Sequence, residues 1–420
     1  MSSPSIAFRP RSGVALLNRT QAAERDERSV NRRVKIAWGL LLFNTITFYP
    51  HTSFIPIPSA VGKAIAQGVL PVALLVALTV NRKAVVRPNV FLCLVGLLVL
   101  GTILTTLQPQ HFGTVYRTIR LIAFVAGLWL LTPWWGRRDL LLVRAHLSAL
   151  WVLIGSVLLG LLVSPHRARA QGRLTGVVWP IVWTQVAHYC ALVAGLTVVL
   201  WFCGYMRGRT TVIAFAVAGG TLILTHTRTA VAALIAGLLV AGLSLIVAKA
   251  RVRKLFATAG AIAAVGVMTL SAVISTWLAR GQGTHSLDTL SGRTQVWGPL
   301  LAAPRDKFQE IFGFGLSNGS FNGFPIDSNW LASYQEQGLF GVVVCAVILL
   351  FLLVTAYFQP RGVRRALALF MVTYCLVASF TEVGFTDASP YLLDLTLAAS
   401  LLVPFAGRTG LTESGEGELG

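Results

Sequence analysis

Charge is scarce in this chain. Only 12% of its residues are charged, about half the roughly 25% usual in a soluble globular domain. Acids are scarcer still, at 15 against 35 lysines and arginines. So few charges cannot clothe a soluble protein of 420 residues, and lipid becomes the expected solvent. The five cysteines (Cys93, Cys190, Cys203, Cys345 and Cys375) lie in or beside apolar segments without CxxC spacing. They read as small buried hydrophobes and exclude a disulfide framework. The histidines do not cluster. His166, His226 and His285 fall in connections, and none has HExxH or other metal spacing. A GxxxxGK[ST] loop and a Ser-His-Asp signature are also missing, so no cofactor, nucleotide or metal is expected. No cleavable signal peptide is expected either. The first 35 residues are too long and polar for an n-region, and no small-residue cleavage site follows.

What the chain has is apolar length. Hydrophobic residues make up 55% of it, and its mean hydropathy is +0.72. Runs of about 20 apolar residues, each enough to cross a bilayer as a helix, fall near 36–49, 59–80, 90–107, 118–134, 141–163, 180–203, 210–226, 229–248, 255–278, 338–358, 366–384 and 388–405. The expected fold is an all-α polytopic membrane protein of about 12 spans. Its parts are a basic segment 1–35, a membrane domain 36–278, a long hydrophilic loop 279–337 before the tenth helix, a second membrane part 338–405 and a tail 406–420. Composition predicts a disordered tail.

Placing the N-terminus, with Arg9 through Lys35, in the cytoplasm puts Arg82, Lys83 and Arg87 on the same side. It does the same for Arg137 and Arg138, Arg207 and Arg209, Lys249 through Lys254, and Arg361 through Arg365. The positive-inside rule is then met throughout. A multi-pass protein of the cell membrane is expected, with both termini cytoplasmic and the long loop extracytoplasmic. The net charge of +20 reflects this topology and not nucleic-acid binding.

A second set of cations falls on the outer side, where topology does not require them: Arg117, Arg120, Arg167, Arg169, Arg173, Arg228, Arg280, Arg293, Arg305 and Lys307. Cations there are costly unless something anionic meets them. Arg117 and Arg120 share one helix face at spacing i, i+3, as a phosphate site or as an interfacial anchor. Arg173 sits between Gly172 and Gly176, which allow close approach of a ligand. Arg228 lies at a tight turn between two apolar helices, facing a cavity or complementing the C-terminal dipole of the preceding helix. In the long loop, Ser291 could cap an amphipathic stretch whose apolar face is Val296, Trp297, Leu300 and Leu301, with Arg293 in its first turn. The Gly-rich stretch after it, with Gly313, Gly315, Gly319 and Gly323, reads as a mobile loop able to close over a site. Asp327 ends the loop, as a base or as a helix N-cap.

These pieces, in this order, resemble the O-antigen ligase and polymerase family of bacterial envelope glycan enzymes. The matching elements are GRLTG, THTRTA, SGRTQVW, GFGLSNG and DSNWLASYQEQGLFG, spanning about Arg117 to Gly341. The resemblance implies a GT-C-like membrane glycosyltransferase acting in cell-surface polysaccharide assembly. Such an enzyme moves a glycan from a polyprenyl-pyrophosphate carrier to an acceptor hydroxyl, on a glycan or lipid-glycan, at the outer membrane face. It also implies that Arg173, Arg228 and Arg293 hold the pyrophosphate, with Arg120 a looser match. Ligases of the family carry a His-Asn pair near the end of the loop. Here the stretch reads Ile326-Asp327-Ser328-Asn329-Trp330, which leaves Asp327, then Glu336, as the candidate catalytic base. The alternative from a different class is a transporter or flippase for an anionic lipid or solute. It would lack the inverted repeat and paired broken spans usual there.

Overall fold

A computed structural model of the chain describes residues 12–48, 53–54, 57–106, 112–169, 172–247, 249–254, 258, 294–317 and 319–404. Its helices are α1 (Ser12–Asn44), α2 (Ser59–Val80), α3 (Val90–Thr106), α4 (Phe112–Leu130), α5 (Leu141–Val163), α6 (Pro165–Ala168) and α7 (Trp183–Phe202). After these come α8 (Gly208–Leu224), α9 (Arg228–Leu245), α10 (Thr294–Ala302), α11 (Lys307–Phe312), α12 (Asn329–Phe358), α13 (Val363–Ala378) and α14 (Pro390–Leu402). Among the described residues six helices, α2, α4, α5, α7, α9 and α12, are long and apolar enough to cross a membrane. α3, α8 and α14 are apolar but shorter. The protein is thus a helical membrane protein, while the expected count of twelve spans is met only in part. The expected ninth span, 255–278, lies outside the described residues apart from Thr258, and Arg280, Ser291, Arg293 and the tail lie outside them too.

α7 is the central helix. Its apolar window is 83% enclosed by protein, against 28–39% for the other five long helices. The small residues Gly195 on α7 and Gly237 on α9 let α13 come close. A Cβ built at Gly195 would fall 1.8 Å from the Phe370 ring, and one at Gly237 would fall 2.8 Å from it. Bundles in lipid pack through such small residues, because burial from water gives helices no reason to associate there.

The connections alternate between two ends. At one end Arg137 pairs with Asp139 and Glu27, Gly136 N donates to Ser400 O, and Gln359 Nε2 donates to Leu402 O. This end collects the basic loops. The other end collects residues 44–48, the start of α4, the connection 164–182, the α8–α9 turn and the described part of the long loop.

That loop is more ordered in pattern than its glycines imply. The expected all-α fold is interrupted by a two-stranded hairpin, with β1 (Ser320–Phe321) antiparallel to β2 (Phe324–Pro325). Asn322 and Gly323 turn it, at φ 48° and 82°. Two successive positive φ angles are what a two-residue hairpin turn requires, and Asn-Gly is its preferred sequence. In α10, Leu300 is fully buried and Trp297 Nε1 donates to Ile326 O at 2.8 Å. Leu301, expected on the same face, is instead 58% exposed. Arg305 donates to Tyr334 O, Leu300 O and Gln335 Oε1 and lies 4.2 Å from the Tyr334 ring centroid. Burial holds its guanidinium below its ordinary pKa, yet its contacts are with protein. Arg305 is therefore a clamp between the loop and α12.

The orientation has a direct check. A cysteine replacing exposed Phe324 should react with a membrane-impermeant maleimide in intact cells. One replacing Lys83 should react only after permeabilisation. The opposite pattern would invert the bundle.

Candidate functional site

The cavity of about 780 Å³ at the non-basic end lies within the usual range of about 300–1,000 Å³ for ligand sites. Six elements wall it: the chain leaving α1 (Asn44–Phe48), the start of α2, the start of α4, the start of α7, the long loop with Glu336, and residues 382–391 leading into α14. Four carboxylates (Asp327, Glu336, Glu382 and Asp387) and three cations (Lys63, Arg117 and Arg120) line it, among amides and hydroxyls.

Glu336 owes its position to a broken helix. α12 has a non-helical residue, Gly338, at φ 63° and ψ −161°. The break removes the i+4 donors that would have satisfied the carbonyls before it, and in lipid such carbonyls need another partner. The Gly-rich loop supplies one: Phe314 N donates to Gln335 O and Gly315 N to Glu336 O, each at 2.9 Å. The same loop grips the side chain. Ser317 N and Oγ donate to Glu336 Oε1 at 2.9 Å, and Gly319 N does so at 3.2 Å. All three bonds go to Oε1, leaving Oε2 as the oxygen for the cavity. The stretch expected to be a mobile lid is here a clasp around a buried carboxylate.

Asp327 also lines the cavity, and it is not a helix cap. The N-cap position of α12 belongs to Ser328, and Asp327 sits one residue earlier in the left-handed region at φ 47°. Few residues other than glycine adopt that region, Asn and Asp being the main exceptions. Asn329 ties the first turn of α12 to the chain after α13, its Oδ1 accepting from Gly384 N and Phe385 N.

The arginines separate into two kinds. Arg117 Nη1 donates to Asp387 Oδ2 at 3.2 Å, and Arg120 Nη1 lies 3.9 Å from the same oxygen. Arg120 Nη2 also donates to Asn44 O and Ala388 O. Both therefore line the cavity in contact with protein acceptors.

Arg173 and Arg228 are different. Leu174 N donates to Leu224 O at 3.0 Å, laying the GRLTG segment beside the α8–α9 turn. Gly172, at φ 69°, allows the turn before it. Gly176 has another role than ligand approach: a Cβ there would meet Trp179 O at 2.4 Å, so it closes its own turn. His226 at φ 52° reverses the chain, and Arg228 becomes the first residue of α9. Its expected complement, the C-terminal dipole of α8, is thus joined by the positive end of α9, which disfavours a cation. Arg228 Nε and Nη2 are closed off from solvent without a hydrogen-bond partner. Arg173 packs over Trp183 at 5.1 Å. Burial, and then the like charge of Arg228, hold the Arg173 guanidinium below its ordinary pKa. Among the described residues no carboxylate pairs with either arginine. The pair flanks the cavity and does not line it: Trp183 stands between the lining residues Val182 and Thr184, and Thr229 accepts from Thr381, beside lining Glu382.

The sequence reading did not single out Asp387, Lys63 or the histidine of the cavity, His188. Asp387 was legible only as one acid among several, because its arginine partners lie far away in sequence.

The break at Gly338 should tolerate no side chain. A Cβ there falls 2.4 Å from Ile311 C and O, at a φ that L residues disfavour. Gly338→Ala should destabilise the protein by at least about 1–3 kcal/mol, read as a lowered thermal-unfolding midpoint in detergent. An unchanged midpoint would mean that the clasp does not depend on the break.

No protein-family model matches the chain, and no curated protein matches it either.

Proposed function

We propose that this protein is a membrane glycosyltransferase of the O-antigen ligase and polymerase kind. It transfers a glycan from a polyprenyl-pyrophosphate carrier to an acceptor hydroxyl at the outer face of the cell membrane, in cell-surface polysaccharide assembly. The observation that carries this reading is the Arg173–Arg228 pair: two neighbouring guanidiniums, partly shut from solvent, with no protein carboxylate paired to them among the described residues. Arginine is charged at all working pH values and matches phosphate oxygens in a fork. A pyrophosphate between this pair and the cavity mouth would satisfy both. In this reading the membrane domain is GT-C-like with about 12 spans.

The chemistry requires few parts. The acceptor hydroxyl attacks the anomeric carbon as the bond from that carbon to the pyrophosphate oxygen breaks, and the leaving oxygen takes the bonding electrons. The arginines stabilise that developing charge in a site screened from water. Arg293 joins them by resemblance. The hydroxyl proton passes to a carboxylate. Asp327 and Glu336 both line the cavity, and Glu336 is the more rigidly held. The activated donor supplies the driving force, so the transfer requires neither nucleotide nor metal. Arg117 and Arg120 shape the cavity through Asp387.

Two experiments test this. With a purified lipid-linked glycan donor, Arg228→Ala should cut turnover by roughly a hundredfold, the scale of losing one preorganised donor at about 2–4 kcal/mol. Arg173→Lys should retain part of the activity, and Arg253→Ala, at the basic end, nearly all. Near-normal turnover in Arg228→Ala removes the pyrophosphate role. Movement of the intact donor across vesicles without release of the polyprenyl-pyrophosphate carrier would indicate the transporter instead.

The base is separated by isosteric amides. Asparagine accepts the left-handed backbone of Asp327 but cannot take a proton. Asp327→Asn should therefore fold normally and lose about a hundredfold or more in turnover. Full activity in that variant, with loss in Glu336→Gln, would assign the proton to Glu336.

A further inference from the structure

A second ionisable cluster lies in the floor of the same cavity, built from three helices. Asp394 on α14 is fully buried, His146 on α5 likewise, and His188 on α7 is 2% exposed. His146 Nε2 lies 3.1 Å from Asp394 Oδ1, and His188 Nε2 lies 2.9 Å from Asp394 Oδ2. His188 lines the cavity, and so does Tyr391, whose ring centroid is 4.3 Å from the His188 ring.

The outer partners of the two rings decide where protons can be. Trp38 Nε1 donates to His146 Nδ1 at 3.2 Å. An indole N–H only donates, so Nδ1 carries a lone pair and the proton of His146 sits on Nε2. This ring cannot become an imidazolium while the Trp38 bond stands. His188 Nδ1 faces Tyr374 Oη at 3.2 Å, and a hydroxyl either donates or accepts. His188 is thus free to carry one proton or two.

Charge then sets the count. With both rings neutral and the carboxyl ionised, a net negative charge is buried in the bundle, the costliest arrangement for such a group. One more proton makes the cluster neutral, whether it rests on His188 or on the carboxyl. The cations of the cavity wall are Lys63, Arg117 and Arg120; the two arginines face Asp387, and none of the three is paired with Asp394. Tyr374 and Cys375 on α13, Tyr391 on α14 and Tyr189 and Cys190 on α7 surround the cluster, and phenols and thiols are neutral near pH 7. Glu382 acts on Tyr374 and Tyr391 and adds only negative charge. On the helices packed against α7, Arg144 points outward, Arg209, Arg364 and Arg365 lie at the basic end, and Arg228 heads α9 at the opposite one.

We propose that the Asp394–His188 pair is a proton-binding site in the cavity floor, holding one dissociable proton between Asp394 Oδ2 and His188 Nε2 while His146 stays neutral. Resting on the reading of an anionic donor, the purpose follows: a bare carboxylate beneath the cavity would repel that donor, and the shared proton keeps the floor neutral.

Solid-state NMR of wild-type protein in lipid nanodiscs, with isotope-labelled histidine and aspartate, tests the site without any substrate. Two histidines should contact the Asp394 carboxyl carbon. One should be neutral with its proton on Nε2; the other should be an imidazolium, or neutral beside a protonated carboxyl. Two neutral rings beside an ionised carboxylate at neutral pH overturn the proposal. A second arm uses stability. His188→Gln strands the carboxylate and should lower the unfolding midpoint, and adding Asp394→Asn should restore part of the loss. A double variant no more stable than His188→Gln also overturns it, because a purely steric role predicts that damage accumulates. If His188→Gln does not fold, the NMR result decides alone. Neither arm needs glycosyl transfer, so failure of the enzymatic reading leaves this result distinguishable.

Discussion

An ionised group inside a helical bundle in lipid has no water to solvate it, and the protein must provide every compensating contact. The described residues follow this constraint closely. Asp387 meets Arg117 and Arg120. Glu336 takes three donors from the loop that wraps it. Asp394 stands between two imidazoles. Against that pattern, the Arg173–Arg228 pair is the exception, and its location beside the cavity at the non-basic end gives the exception meaning. Its two guanidiniums lie close together beside the cavity with no carboxylate paired to them among the described residues.

The same constraint separates what could be read from the sequence from what could not. Lone arginines in apolar surroundings stand out in a chain with so few charges, so Arg173 and Arg228 were legible one by one. Their adjacency was not, because it depends on Leu174 hydrogen-bonding to the end of α8. Arg117 and Arg120 carry the same signal in sequence, yet their partner Asp387 lies far along the chain, and spacing within one helix cannot reveal it. The helices themselves were readable from apolar length. Their limits were less so, since α3, α8 and α14 are short and α12 is broken at a glycine that looks like any other. The hairpin had a local signal, Asn322-Gly323, lost among neighbouring glycines that serve other turns.

His146, His188 and Asp394 show a different kind of illegibility. Each sits inside an apolar run, where a lone polar residue reads as an isolated event. An intramembrane carboxylate is nevertheless expensive enough to demand a partner, and Asp394 is the one such residue in α14. Which partner it finds is fixed by packing: α14 against α13, α13 against α7, and α7 against α5. The chemistry is therefore a product of tertiary structure, while the sequence carries only the demand.

The segment 384–391 joins the two ionisable systems. Its first part holds the cavity wall, with Asp387 bound to Arg117 and the Ala388 carbonyl accepting from Arg120. It then enters α14 through the Ser389 cap, whose hydroxyl accepts from Leu392 N. Tyr391 and Asp394, at spacing i, i+3, lie on one face of that helix, the first against His188 and the second 2.9 Å from its Nε2. A proton gained or lost at Asp394 is thus one helical turn from the cavity lining and acts on it through a rigid element. This short stretch of backbone and the helical turn after it therefore carry both the Asp387 contact of the cavity wall and the buried Asp394 carboxylate.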